Sequence, residues 1–481
     1  MSLCTKDFAD ADDRMLTLTH VCQQWRQVAL SFPHLWFKVR SNKTTDPDKV
    51  RAILERSKST LLDVEVNLGE SVSGQLVEVV RQVLDQTSRM RTLVIQGDDI
   101  ELARPSFDTP APFLEELALI NDWEAPIVAI DDELFDEETP SLRELVLHGC
   151  VLRWDSPIFS GLTRLSLFSS PFSDFGALKP DVRELSIVLH SCGNTLERLE
   201  LCNFLESSGL WDRSWDTLSN AVKLPRLKFA ILSEFDFFTL VSFFKHVNIS
   251  PAVPINVWNV DINNPRMVLP SPIPLLPSQF FISPDASPAP SKCLQLIVHT
   301  MGIDFHVYEQ NPNAKVPWYR YMPSDEDHFF ATFCWPLDED NIQVITQNVH
   351  GNIPFSDIHT LEVEGGYLPA ERSFWDGLFR NTARVHNLIL GTGIAKKHLL
   401  SVFHVLAPDG HGSSQKASTT LLLPHLTRLH FATPHIQEMD PELVTSILKR
   451  RKQAGAKVET ITIHAQEVQG YADAMGATVV Q

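Results

Sequence analysis

Paired cysteines, long apolar runs and concentrated positive charge are all missing from this sequence, and each absence removes a class of function. The seven cysteines, Cys4, Cys22, Cys150, Cys192, Cys202, Cys293 and Cys334, are odd in number, widely spread and never spaced as CxxC. They predict buried thiols in a reducing compartment, not a disulfide framework or redox motif. No window of about 18 uncharged apolar residues occurs; the nearest approach, Phe229 to Val247, is broken by Glu234, Asp236 and Lys245. Met1 to Asp13 carries Lys6 and four aspartates, where a secretory signal needs a basic start and an apolar stretch. The expected location is the cytosol or the nucleus. A formal net charge of -19 repels phosphate backbones and anionic headgroups, so neither nucleic acid nor a membrane is an expected partner. The longest basic run, Lys449-Arg450-Arg451-Lys452, lies near the end of an apparent helix, where cations favour the dipole, and reads as a solvated helix end.

Catalytic signatures are equally scarce. There is no nucleotide-binding glycine loop, no G-x-S-x-G elbow and no H-E-x-x-H, and Gly391-Thr392-Gly393 lacks the glycine that would complete a dinucleotide fingerprint. The acidic clusters Asp131-Asp132-Glu133-Asp136-Glu137-Glu138 and Asp325-Glu326-Asp327 could pair carboxylates for acid–base work, but read as solvated loops. Within the first of them, Leu134-Phe135 suggests a helix packing inward. His299, His306, His328, His350 and His359 never pair at zinc-ligand spacing, so no metal is expected. No catalytic residue and no cofactor is expected either. The aromatic stretch from Trp318-Tyr319-Arg320-Tyr321 through Phe329-Phe330 to Trp335 could anchor a partner, although core filling explains it as well.

What the chain has is patterned apolar sequence, with a hydrophobic fraction of 43% and a charged fraction of 21%, as in an ordinary globular protein. Met15 to Leu30 reads as one amphipathic helix, with Leu18, Val21, Cys22, Trp25, Val28 and Ala29 at spacings of three and four. Ser31-Phe32-Pro33 stops it. From about residue 60 an apolar-x-x-Leu-x-apolar pattern recurs. Its copies begin at Met90, Leu114, Leu142, Leu162, Leu196, Leu224, Ile358, Val385, Leu426 and Val458. Leu93, Leu117, Leu145 and Leu165 follow one another at steps of 24, 28 and 20 residues, within the range of leucine-rich repeats. A further match at Val182 falls too close to the next copy. With Leu185, Val188, Leu189 and Cys192 at helical spacing, it predicts a helix backing the strand near Leu196. Leu443 to Arg450 likewise predicts a helix, followed by a strand over Val458 to Ile463. Two segments break the rhythm. Ten prolines between Pro251 and Pro290 predict an irregular insertion over about 250–292, and Ala407 to Thr420 reads as a surface loop.

One segment carries a family resemblance. Leu18-Thr19-His20-Val21-Cys22-Gln23-Gln24-Trp25-Arg26-Gln27-Val28-Ala29-Leu30, followed by Pro33-His34-Leu35-Trp36, resembles the second half of an F-box in the form common among fungal F-box proteins. The leucine-proline helix start that opens an F-box has no match before Met15. The resemblance implies that Val21, Cys22, Trp25, Leu35 and Trp36 face the SCF adaptor subunit or pack the segment as an N-terminal cap.

The expected architecture is therefore α/β, an irregular leucine-rich-repeat-like solenoid over 41–481 preceded by a partial F-box-like helical segment over 1–40. The implied function is substrate recognition within an SCF-type ubiquitin ligase, with the adaptor and an unidentified protein substrate as partners. A competing expectation is a repeat scaffold that binds proteins without docking the adaptor. A third, an acidic hydrolase, would require converging carboxylates in a deep pocket.

Overall fold

The computed structural model describes residues 19–42, 44–69, 74–97, 100, 109–122, 127–130, 134–169, 180, 182–205, 221–235, 237–250, 253–261, 292–299, 302–309, 327–334, 358–408, 421–463 and 478–479. The chain divides into two compact units, Met1–Leu227 and Lys228–Gln481.

The first unit opens with a helical turn at 19–21 and α1 (Gln23–Ser31). The single helix expected from Met15 is broken at Cys22, whose backbone is extended at φ -160, ψ 166. Thr19, Val21 and Cys22 are weak helix formers, and the Cys22 sulfur restarts the helix by accepting the Trp25 N–H at 3.5 Å. A 3-10 turn, Pro33–Trp36, leads into β1 (Lys38–Ser41), α2 (Pro47–Ser57), β2 (Leu62–Gly69), α3 (Gly74–Leu84) and β3 (Met90–Gly97). Then follow β4 (Glu116–Ile120), β5 (Val128–Ile130), β6 (Glu144–His148), β7 (Cys150–Leu152), β8 (Arg164–Phe168), α4 (Val182–Cys192), β9 (Arg198–Cys202) and β10 (Val222–Leu224). Asp46 caps α2 by accepting the Asp48 N–H at 2.9 Å. Arg89 secures its other end, donating to the carbonyls of Leu54 and Thr60 and to the Ser57 hydroxyl. The helix expected over Val182–Cys192 is α4.

Strands β1, β2, β3, β4, β6, β8 and β9 pair in that order, all parallel. Register aligns two apolar rows on one face. One is Leu93, Leu117, Leu145, Leu165 and Leu199, and the other is Ile95, Leu119, Leu147, Leu167 and Leu201. All ten are fully buried. Each such side chain contributes about 1.5–3 kcal/mol on burial, so these rows are the core of the unit.

The second unit contains β11 (Phe229–Ser233), α5 (Phe237–His246), β12 (Val247–Ile249), β13 (Ile255–Asp261), β14 (Lys292–His299), β15 (Gly302–Glu309) and β16 (Asp327–Cys334). These are followed by β17 (Ile358–Glu364), α6 (Arg372–Asn381), β18 (Asn387–Leu390), α7 (Lys396–Leu406), β19 (Arg428–Phe431), α8 (Pro441–Gln453), β20 (Thr460–Ile463) and β21 (Thr478–Val479). Its strands pair in the order β11, β13, β16, β15, β14, β17, β18, β19, β20, β21. The β16–β15 and β15–β14 ladders are antiparallel and the rest parallel. The helix and strand expected near the end of the chain are α8 and β20. Part of the expected proline-rich excursion is instead the regular strand β13. Pro251 and Pro254 lie before it and Pro265 after it, so no proline removes an N–H from its ladder. Residues 262–291 and 409–420, the remainder of the two interrupting segments, lie outside the described residues.

The expected leucine-rich-repeat-like solenoid gives way to a layered α/β architecture built on broad, mostly parallel sheets. The pattern copies do mark strands: each overlaps or leads into one. What joins the strands does not repeat. An eleven-residue helix lies between β2 and β3, the short strands β5 and β7 pair with each other beside the main sheet, and an antiparallel set interrupts the second unit. The physical reason is that an apolar-x-x-Leu-x-apolar run specifies a short strand with one buried face and says nothing about the segment that returns to the next strand.

Candidate protein-docking site

The five residues singled out by the F-box resemblance separate into two groups. Val21, Cys22, Trp25 and Leu35 are exposed, with Val21 58% and Trp25 52% accessible. Trp36 is buried, at 3%. Its indole N–H donates to the Ala29 carbonyl at 2.8 Å, and the Arg56 guanidinium of α2 lies 4.5 Å over its ring. Trp36 and Ala29 thus fasten α1 to the body, through a buried hydrogen bond and a cation–π contact. Of the five, Trp36 alone packs inward, and the other four are exposed.

Val28 and Phe32 extend the outward group. Val28 follows Trp25 by three residues on α1, and Phe32, the extended residue that ends the helix, is 55% exposed. Leu35 continues the surface from the 3-10 turn, whose Leu35 N–H donates to the Phe32 carbonyl at 3.1 Å. Monomeric proteins rarely leave several large apolar side chains adjacent and exposed without a partner. The exposure of Phe32 has no helical-spacing signal in the sequence, because the residue lies just past the end of α1 in extended backbone. The contribution of Arg56 has no signal either, because nothing local links it to Trp36.

Other expected features resolve differently. Burial pushes the thiols of Cys150 and Cys192 up to about 12, which makes them inert core groups. Leu134 and Phe135 do pack inward, but not as a right-handed helix: Phe135, Asp136 and Glu137 have φ of 58, 55 and 58. Asp131–Glu133, Asp325, Glu326, Trp318–Tyr321, Trp335, His350 and Cys4 lie outside the described residues, as do the side chains of His299, His306, His328, Phe329, Phe330, Cys293 and Cys334. His359 stacks on His386 with centroids 5.5 Å apart, and His386 on His425 at 5.7 Å. Parallel rings at that separation turn faces, not ring nitrogens, toward one another. No group of three or more His, Cys, Asp or Glu that could hold a metal ion occurs among the described residues.

Arg451, expected in a solvated basic helix end, is fully buried. It donates to the carbonyls of Leu406 and Leu422 at 2.9 Å and of Leu423 at 2.8 Å, and burial holds its pKa down to about 10. Two carboxyls meet on the face of β17 opposite Leu361 and Val363, where Glu364 and the buried Glu362 are hydrogen-bonded and burial raises the Glu364 pKa above its ordinary value. No helix among the described residues is long and apolar enough to cross a membrane. No family model matches the chain, and no curated protein matches it by sequence.

Proposed function

We propose that this chain is a substrate-recognition subunit of an SCF-type ubiquitin ligase, an F-box protein resembling those of fungi and working in the cytosol or nucleus. The surface built from Val21, Cys22, Trp25, Val28, Phe32 and Leu35 docks the SCF adaptor, and the α/β body holds a protein partner for ubiquitin transfer by other subunits. The chain contributes no catalytic residue and needs no cofactor. The observation that carries the reading is the division of the F-box-like residues: Trp36 is locked inward while Trp25 and the apolar side chains of α1 and its flanks remain exposed. A tryptophan flanked by exposed aliphatic and aromatic side chains supplies the kind of central anchor on which interface energy concentrates, at about 2 kcal/mol or more per hot spot.

The test is a pull-down and titration of the full chain with purified SCF adaptor, alongside a Trp25→Ala, Phe32→Ala variant. Both positions are exposed, so the variant should keep the parent's circular dichroism and thermal midpoint while adaptor affinity falls more than about tenfold. A well-folded parent that does not bind the adaptor, or a variant that binds as tightly as the parent, sinks the proposal.

A further inference from the structure

The parallel sheet of the first unit has a second face, opposite its leucine rows, and that face is only partly occupied. Register sets Thr92, Glu116, Glu144, Arg164 and Arg198 in one row and Val94, Ala118, Val146, Ser166 and Glu200 in the next. Neighbouring members of a row stand about 4.8 Å apart across the strands. At the β8–β9 end the face is closed and its charges are compensated: Glu200 is buried and ion-paired to both Arg164 and Arg198. Toward β1 and β2, Asp63 pairs with Arg91 at 2.7 Å and Glu65 with Arg40 at 3.0 Å.

Between these ends the compensation fails. Glu116 has no ion-pair partner among the described residues, and Glu144 beside it has only Arg164 at 3.7 Å, an arginine it shares with Glu200. Burial and the Glu144 charge together raise the Glu116 pKa. Next to the two carboxylates runs an apolar strip of Val94, Ala118 and Val146, of which both valines are half-exposed. At the far end of that strip Ser166 Oγ is fully buried and has no hydrogen-bond partner, and Arg164 Nε likewise has none. Buried polar groups are ordinarily satisfied.

We propose that the middle of this face, over β3, β4 and β6, is the docking surface for an extended polypeptide segment carrying a lysine or arginine. The cation sits between Glu116 and Glu144, and its apolar neighbours lie along Val94, Ala118 and Val146. The choice of a basic partner rests on charge complementarity: two adjacent carboxylates with one shared arginine form an electrostatic deficit that an added cation corrects and an added anion deepens. The inference deepens the reading of this chain as a recruiter of proteins by naming the chemistry of what its body holds.

The experiment titrates the full chain with a fluorescein-labelled peptide of alternating valine and arginine, and separately with its valine–glutamate counterpart, by fluorescence anisotropy. Three proteins are compared: the parent, a Glu116→Gln, Glu144→Gln variant, and a Glu55→Gln, Asp85→Asn variant. The last makes the same charge change at exposed positions. The expected result is that the parent binds the arginine peptide and not the glutamate peptide. Affinity should fall at least about tenfold in the sheet-face variant and less than about twofold in the control. No binding of the arginine peptide, or equal loss in both variants as general attraction to an acidic protein would give, overturns the proposal. The single Glu116→Gln variant guards against misfolding, because removing an unpaired, desolvated carboxylate should leave the thermal midpoint unchanged or raised; a drop in midpoint also counts against the site. The Trp25→Ala, Phe32→Ala variant should bind the peptide like the parent, so a failure here and a failure of adaptor docking read out separately.

Discussion

His398 shows what burial does to a single ionisable side chain in this protein. It is fully buried on α7, and its Nδ1 accepts the Ala395 N–H at 3.1 Å. Desolvation, and then the neighbouring Lys397 charge, lower its pKa from 6.5 to about 4. Because the folded value lies below the unfolded one, the unfolded chain takes up a proton first as pH falls. The stability from neutral His398 is complete above pH about 6.5 and is lost progressively down to about 4, by an amount on the order of 3 kcal/mol. Urea unfolding of the parent and of His398→Gln across this window should show their stability difference shrinking toward acid; a difference that does not change with pH would refute the assignment. From sequence, His398 was indistinguishable from the solvated His404 two turns on, because only the packing around α7 decides which histidine is dry.

At the scale of elements, two helix ends depend on single side chains. The Cys22 sulfur is a weak acceptor for the α1 N-terminus, so Cys22→Ser should strengthen the cap by about 0.5 kcal/mol, measured as slower amide exchange at Trp25 with the rest of the chain unchanged. Unchanged exchange would show that the cap is not limiting, and faster exchange that serine caps this turn less well than cysteine. At the other end of the chain, Arg451 ties the last turn of α8 to the carbonyl of Leu406, which ends α7, and to those of Leu422 and Leu423, which precede β19. Arg451→Met leaves those carbonyls without their donor and should cost on the order of 3 kcal/mol in denaturant unfolding. Lys452→Met, at an exposed position, should cost little. The four basic residues look alike as a run. Their phase does not: Arg451 follows Val444 and Ile447 at seven and four residues, on the face those two bury. That phase is legible in the sequence, but the three carbonyls that make burial of the charge possible are brought to it only by the fold.

For the whole molecule, the excess of 60 acidic over 41 basic residues keeps copies apart near neutral pH and vanishes near the sequence pI of about 5.4. Light scattering of a concentrated solution should peak near that pH and fall on either side; a flat profile would mean that self-association is not governed by net charge. The same pH lies inside the window where His398 loses its contribution, so aggregation on acidification should be partly reduced in a variant that lacks that titration.

Local pattern alone marked β3, β4, β6, β8, β9, β11 and β17 to β20 and the side chains they bury, because alternation at period two is imposed by the strand itself: Leu93, Leu117, Leu145 and Leu165 are all core. It also located α4, α8 and the tryptophan-bearing N-terminal segment, since apolar spacing of three and four is likewise a local property. Tertiary structure alone decided the rest. Whether returning segments repeat depends on contacts far apart in sequence, so an expected solenoid is instead a pair of α/β units with an antiparallel interruption. The inward turn of Trp36 and the outward turn of Trp25 depend on Ala29 and Arg56. The uncompensated carboxylates of the second sheet face exist only because register sets Glu116 against Glu144, 28 residues away in the chain.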